Sequence, residues 1–391
     1  GKTVYLSQGH GFYWSAVLGR WATQRGNTHG IVEDLVGAEG INHYLIPLLL
    51  NAGATVFPMR EFDMNVVREV VDQSQALLTG EWSDGPGGYD PSKTVLQSGQ
   101  NPFEGGHTLI TNAGPEVTAT ARFEFDLEGS RKYALYASWS AAPDRVPDVH
   151  FRVHHGNTVS EIRVDQRRHG KTWMYLGHFP ASLTHVEVTN QSDHVGTVSI
   201  DAIRAGGGLG LIERGSGAPP AAAPTSMRPR WEECSRYTAQ YQGAPTSVYD
   251  SSSGGDHKDD VGNRARYAAW QHEEGEDAVF VSWHSNAPEG GTGTSTYVYG
   301  PNSPNGSYNF TGTQGSDALA QNVHNSIVNA IKDEWDPNWK DRGIRSVWFG
   351  ELNPKSNPEM PAVLVEKAFH ATEYDANYLA EPRFRFTLAR A

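Results

Sequence analysis

The hydrophobic periodicity of this chain changes twice, and those two changes restrict its possible folds more than any other feature. Up to about Gly80 the pattern is that of strands alternating with helices. Residues 3–6 form a short β-rich run ending in Ser7-Gln8-Gly9-His10-Gly11. Residues 35–51 then repeat apolar side chains at helical spacing through Ile41, Leu45, Leu48 and Leu49. Asn51-Ala52-Gly53 closes that helix, 54–59 reads as a second strand, and 66–78 predicts a second helix. From Glu81 to about Arg204 a period of two takes over. Ala121, Phe123, Phe125 and Leu127 alternate with Arg122, Glu124 and Asp126, and Val149, Phe151 and Val153 repeat the theme. Short alternating strands separated by Gly, Pro, Asn and Asp predict an antiparallel β-sandwich.

Past the sandwich the first texture returns, with strands expected at 277–282, 294–299, 346–350 and 362–365 and a helix at 316–334. A chain of 391 residues exceeds what one core usually serves, so two domains are expected. The expected fold class is α/β, a mostly parallel or mixed twisted sheet flanked by helices, with an inserted antiparallel β-sandwich. The α/β domain is discontinuous, 1–79 and 236–391, and the insert occupies 80–205. Residues 206–235, rich in Gly, Pro and Ala, form a linker expected to be extended or poorly ordered.

Composition removes several functions. The net charge of −13 leaves no basic surplus for a polyanion such as a nucleic acid. No run of eighteen apolar residues exists to span a membrane. Cys234 is the only cysteine, which rules out an internal disulfide framework and an all-cysteine metal site. The first residues enter a strand directly, so no signal peptide is expected within this sequence.

Four segments place a metal-ligand or proton-transfer residue at or just after a strand, the edge at which open α/β sheets build sites. They carry His10, Glu33, His284 and Glu366. Two imidazoles and one carboxylate leave a fourth zinc position open, as a catalytic site requires. Zinc lowers the pKa of water from 15.7 to roughly 7, and a further carboxylate, Glu366, can take up the proton. A histidine at a strand end is more often a hydrogen-bonding loop residue, and Glu33 suits a helix first turn on dipole grounds alone. The four together weigh more than any one.

Together the segments resemble the family 3 N-acetylmuramoyl-L-alanine amidases, in the same chain order. The family opens with a strand and Gly-His-Gly, matched by Gly9-His10-Gly11, and supplies a Glu before its first helix, matched by Glu33. Its Ser-x-His-x-Asn-Ala is matched by Ser282 to Ala287, and its Pro-Ala-x-Leu-x-Glu-x-x-Phe by Pro361 to Phe369. The resemblance implies one zinc ion held by His10, Glu33 and His284, Glu366 as the catalytic residue, and peptidoglycan or a muropeptide as substrate. It also implies an extracellular or periplasmic place of action.

This chain departs from the family at Phe12, which stands where a second Gly is usual, in a longer loop between His10 and Glu33, and at Lys367. Asn286, Trp14 and Arg60 are the expected substrate-binding residues; for the loop aromatics, packing is the competing explanation. The insert resembles β-sandwich modules of the golvesin and xanthan-lyase type, with Trp82, Trp139, Trp173, Tyr133 and Tyr175 as candidates for a carbohydrate platform. A zinc carboxypeptidase-like enzyme and an inactive wall-binding protein remain alternatives. Asp256-His257-Lys258-Asp259-Asp260 reads as a solvated loop, and His272-Glu273-Glu274-Gly275-Glu276 lacks the second His of a zincin helix.

Overall fold

The computed structural model describes residues 2–215, 225–302 and 308–391. Strands from both ends of the chain meet in one six-stranded mixed sheet. Its order is Asp341–Val347, Thr294–Tyr299, Ala362–Phe369, Ala278–Asn286, Thr3–Ser7 and Thr55–Pro58. The last four run parallel, whereas Thr294–Tyr299 is antiparallel to Ala362–Phe369 and parallel to its outer neighbour. Thr3–Ser7 is buried at every position and Ala278–Asn286 at all but two, as expected of strands covered on both faces. The Ser316–Glu334 helix adds Ala320, Ile327 and Ile331 to the same core as Val298, Val363 and Val365.

The helix expected at 35–51 forms in three pieces. Glu33–Gly40 and Ile46–Asn51 are α-helical, with a π-helical turn at Ile41–Leu45 between them. Pro47 sits where the α register restarts, and it has no N–H to offer the carbonyl four residues back. The helix expected at 66–78 is absent. Glu69–Asp72 and Leu77–Thr79 are strands joined by a single 3-10 turn, Gln73–Gln75. Asp72 and Gln75 form a capping box, a local helix-start signal, but the β-branched pair Val70-Val71 is paired with Ala202–Ala205. The strand expected at 346–350 lies earlier, at Asp341–Val347, because the chain turns at Gly350–Leu352.

The sandwich therefore takes in strands from Glu69 onward. One sheet runs Met174–Pro180, Lys132–Ala137, Ala202–Ala205, Glu69–Asp72. A second runs Thr158–Val164, Val149–His155, Leu183–Thr189, Thr120–Glu124, Leu77–Thr79. Alternation holds as expected: Ala121 and Phe123 are buried while Arg122 and Glu124 face out. Trp139, Trp173 and Tyr133 are buried too, which removes them from any carbohydrate platform.

Two expectations about loops are corrected. Gly206-Gly207-Gly208 is a site of close backbone approach. A Cβ there would stand 2.2 Å from Val67 O, 2.3 Å from Asp63 O and 2.7 Å from Arg68 Cβ respectively. The stretch 216–224 lies outside the described residues. Residues 256–260, read as a solvated loop, are the first turn of the Asp256–Gln271 helix, with Asp256, Asp259 and Asp260 buried. They supply counter-charge to Arg214, Arg236 and Arg264, of which the last two are fully buried. Among the described residues no helix is long and apolar enough to cross a membrane.

Candidate metal centre

His10 follows the Thr3–Ser7 strand in a loop that leaves no room for side chains on either flank. Gly9 has φ +71°, and a Cβ there would stand 2.8 Å from Trp283 O; one on Gly11 would stand 2.7 Å from Cys234 N. The loop is held from below by Arg60, which is fully buried. Its guanidinium donates to the carbonyls of Trp231 at 2.7 Å, Glu233 at 2.9 Å, Asp34 at 2.9 Å and Gln8 at 3.2 Å, and to that of His10. Its expected role in substrate binding is thereby corrected. A guanidinium sealed from solvent with its donors committed to main-chain carbonyls is a clamp.

Glu33 opens the Glu33–Gly40 helix. Its Oε1 accepts from Ser285 N at 3.0 Å and lies 3.3 Å from His284 Nδ1, while Oε2 is buried without a hydrogen-bond partner. Arg25, from the long loop, approaches Oε2 at 3.6 Å. His284 and Glu366 are register partners on neighbouring parallel strands. The rings of His10 and His284 meet edge to face with centroids 4.7 Å apart. One ligand atom each from His10, Glu33 and His284 lies within 4.8 Å of the others, and all three residues are buried. This donor set fits a catalytic zinc ion. Glu33 Oε2 fits it as well: it is buried with no hydrogen bond, its nearest basic nitrogens being Arg25 at 3.6 Å and His370 at 3.9 Å, and a cation at ligand distance would satisfy it.

The surrounding charges divide the roles. Burial, then the positive charge of Arg264, hold His10 well below the usual imidazole range, so the ring is neutral. Burial alone would lower His284 as well, but Glu351 and Glu33 overcome it and lift that ring to about 9. Glu366 is pushed up to about 8, by burial first and the charge of Glu33 second, with His284 and Lys367 pulling the other way. Its Oε2 is buried and has no partner. A carboxyl group with raised proton affinity, beside the triad, is suited to accept and return a proton.

The remaining expected residues are distributed as follows. Asn286 ends its strand half-buried, its Oδ1 accepting from Ala287 N at 2.9 Å. Trp14 is half-buried in a short hairpin, packed edge-on against Trp21 at 6.0 Å, with Gly215 close against its ring. Sequence reasoning missed Glu351, whose carboxylate lies 3.2 Å from His284 Nε2. Nothing in its local pattern marked it, because it reaches the site only through the tertiary fold.

A family model described as N-acetylmuramoyl-L-alanine amidase matches residues 242–391, and one described as golvesin C-terminal domain matches residues 70–206. His284 and Glu366 fall inside the first span; His10 and Glu33 lie outside it. Among solved structures the chain is similar to an N-acetylmuramoyl-L-alanine amidase from Clostridium difficile 630. The identity is 30% and the TM-score 0.23, over 29% of this chain and 52% of that one. It is similar to the catalytic domain of CwlV, an N-acetylmuramoyl-L-alanine amidase from Bacillus (Paenibacillus) polymyxa var. colistinus. There the identity is 26% and the TM-score 0.25, over 33% of this chain and 59% of that one. A Paenibacillus xanthan lyase matches at 20% identity with a TM-score of 0.29, over 36% of this chain and 13% of the lyase. The chain thus spans little more than half the length of these amidase structures and a small part of the lyase. No curated protein gives a match. Residues 242–391 are thus similar to the N-acetylmuramoyl-L-alanine amidase model and residues 70–206 to the golvesin C-terminal domain model, each over less than half of the chain.

Proposed function

We propose that the protein is a zinc-dependent hydrolase that cuts the amide bond between the lactyl group of muramic acid and the L-alanine of peptidoglycan. The observation that carries the reading is the buried triad His10, Glu33 and His284 with the unpartnered Glu366 Oε2 beside it. Those three residues would hold the zinc, which supplies a water of lowered pKa and polarises the scissile carbonyl. Glu366 then has two tasks. It accepts the proton that water gives up as its oxygen bonds to the carbonyl carbon. It returns that proton to the alanine nitrogen as the carbon–nitrogen bond breaks. The burial of Oε2 serves both, since a carboxyl oxygen shielded from bulk water keeps a proton until the leaving amine takes it. Peptidoglycan as substrate implies action outside the cytoplasm, in the periplasm or beyond the cell. The half-exposed Trp14 hairpin and Asn286 are the parts of the chain assigned to one wall of the cleft.

The test is release of peptide from purified peptidoglycan by the zinc-loaded wild type and by Glu366→Ala, with the products weighed. The expected result is intact stem peptides from the wild type and a loss of about 10²–10⁴-fold in the variant, with zinc still bound. Release of a single C-terminal residue would replace this reading with a carboxypeptidase. No release by zinc-loaded wild type would leave a binding protein, a missing activator or a different substrate.

A further inference from the structure

Glu351 belongs to none of the segments that carry the metal triad. It lies on the single 3-10 turn Gly350–Leu352, which packs between the Asp256–Gln271 helix and the sheet. Its carboxylate is 4% exposed and ties together both histidine-bearing strands. Oε2 accepts from the hydroxyl of Ser282, and from that of Ser7 at 3.4 Å. Ser7 and Ser282 are register partners on adjacent parallel strands, three residues before His10 and two before His284. Oε1 lies 3.2 Å from His284 Nε2 and pairs with Arg264. Arg264, also bound by Asp260, places Nη2 3.0 Å from His10 Nδ1. Both rings are therefore backed by one buried cluster of Glu351, Arg264 and Asp260. On the other side of the His284 ring Glu33 faces Nδ1, at 3.3 Å.

We infer that Glu351 is a positioning residue of the metal centre: by accepting the hydrogen of His284 Nε2, it fixes the ring orientation that presents Nδ1 to the triad beside Glu33, and the tautomer that would leave Nδ1 free for zinc in place of its proton. A carboxylate is suited to this place because it only accepts. An ionised Oε1 takes the imidazole N–H, while the serines and Arg264, all donors, hold it still. A free imidazole divides its population between two tautomers and several ring orientations, and only one combination presents Nδ1 to the triad. Carboxylates behind metal-bound histidines typically contribute a factor of about 10–100 in metal affinity. The inference rests on the zinc reading above, but its test uses the metal alone and needs no peptidoglycan.

Zinc affinity would be measured by competition with a chromophoric chelator for the wild type, Glu351→Gln and Ser282→Ala. Glutamine keeps one oxygen for the serines but puts an amide donor in the place of Oε1, facing both His284 Nε2 and Arg264. The expected loss is about 10–100-fold for Glu351→Gln. Ser282→Ala, which only loosens the carboxylate, is expected to lose affinity in the same direction and by less. Metal-free thermal unfolding, run in parallel, reads any structural contribution separately. Unchanged zinc affinity in Glu351→Gln, with a lowered metal-free melting temperature, would make Glu351 a structural ion-pair partner and overturn the inference. Should Glu351→Gln not fold, Ser282→Ala decides alone: affinity equal to wild type overturns the inference, and a clear loss supports it. A wild type that binds no zinc would defeat the zinc reading itself, an outcome distinct from both.

Discussion

Replacing Glu61 by glutamine would leave two buried arginines without their counter-charge at the seam between the α/β domain and the sandwich. The Glu61 carboxylate accepts from Tyr136 Oη at 2.6 Å and Arg204 Nη1 at 2.7 Å, with Arg230 Nη1 at 3.4 Å. The N–H groups of Phe62 and Asp63 add two bonds of 3.0 Å. Arg204, fully buried, also lies 3.8 Å over the Tyr136 ring. Burial by itself would raise the Glu61 pKa. Arg204, then Arg230, reverse that and hold it at about 2. Against an unfolded value of roughly 4.3, at about 1.4 kcal/mol per unit, the pairing contributes about 3 kcal/mol. Removing one partner of a buried ion pair independently costs about 3–5 kcal/mol. The two figures agree, so Glu61→Gln is expected to lose at least about 3 kcal/mol at pH 7. The sign with pH follows from the lowered folded pKa. The contribution is complete above roughly pH 4.5 and disappears as pH falls toward 2, because the unfolded carboxyl takes its proton first. Urea unfolding followed by tryptophan fluorescence reads both effects, with equal m-values checking that the same surface unfolds. The gap between wild type and variant should shrink by about 2 kcal/mol between pH 5 and pH 3. A gap under about 0.5 kcal/mol at pH 7, or one that ignores pH, would refute the reasoning.

Two further outcomes test the centre itself. Gly11→Ala should cost about 1–3 kcal/mol in urea unfolding, because its Cβ would stand 2.7 Å from the Cys234 main chain; wild-type stability would mean that the Cys234 strap can retreat. Zinc added at a hundred times its Kd should stabilise the chelator-stripped protein by about 2.7 kcal/mol, read as a rise in Tm. That rise should vanish in His284→Ala, and a rise of equal size there would remove His284 from the ligand set.

The parts of the site legible in the sequence are those whose position follows from local pattern. An apolar strand ending in Ser-Trp-His and another running Ala-Val-Leu-Val-Glu place His284 and Glu366 side by side once the two strands pair in register. What stayed hidden depends on partners far along the chain. Arg60 looked like a free arginine after a strand, and only the fold brings five carbonyls around it. The acids of 256–260 looked solvated because the arginines they neutralise lie at 214, 236 and 264. Gly206-Gly207-Gly208 has the composition of a tether, yet the Val67 and Asp63 carbonyls pass too close for a Cβ on the first two, and the Arg68 side chain too close for one on the third. Composition reports what a segment could do unconstrained, and packing decides what it does.

Arg60 and Glu61 are consecutive, and that adjacency bears on why a sandwich sits inside this domain. Arg60 clamps the His10 loop from below, while Glu61 takes Arg204 and Tyr136 from the sandwich and Arg230 from the segment that follows it. Arg60 also binds the carbonyls of Trp231 and Glu233, and the chain beyond them packs Cys234 against Gly11. The path from sandwich to metal loop is thus a few buried residues long, with a charged group at each step. A module joined by a flexible tether could drift without disturbing the histidine loop. One joined through a buried carboxylate cannot, since any separation would strand Arg204 and Arg230 away from their counter-charge. The sandwich is a structural neighbour of the candidate metal centre in this chain.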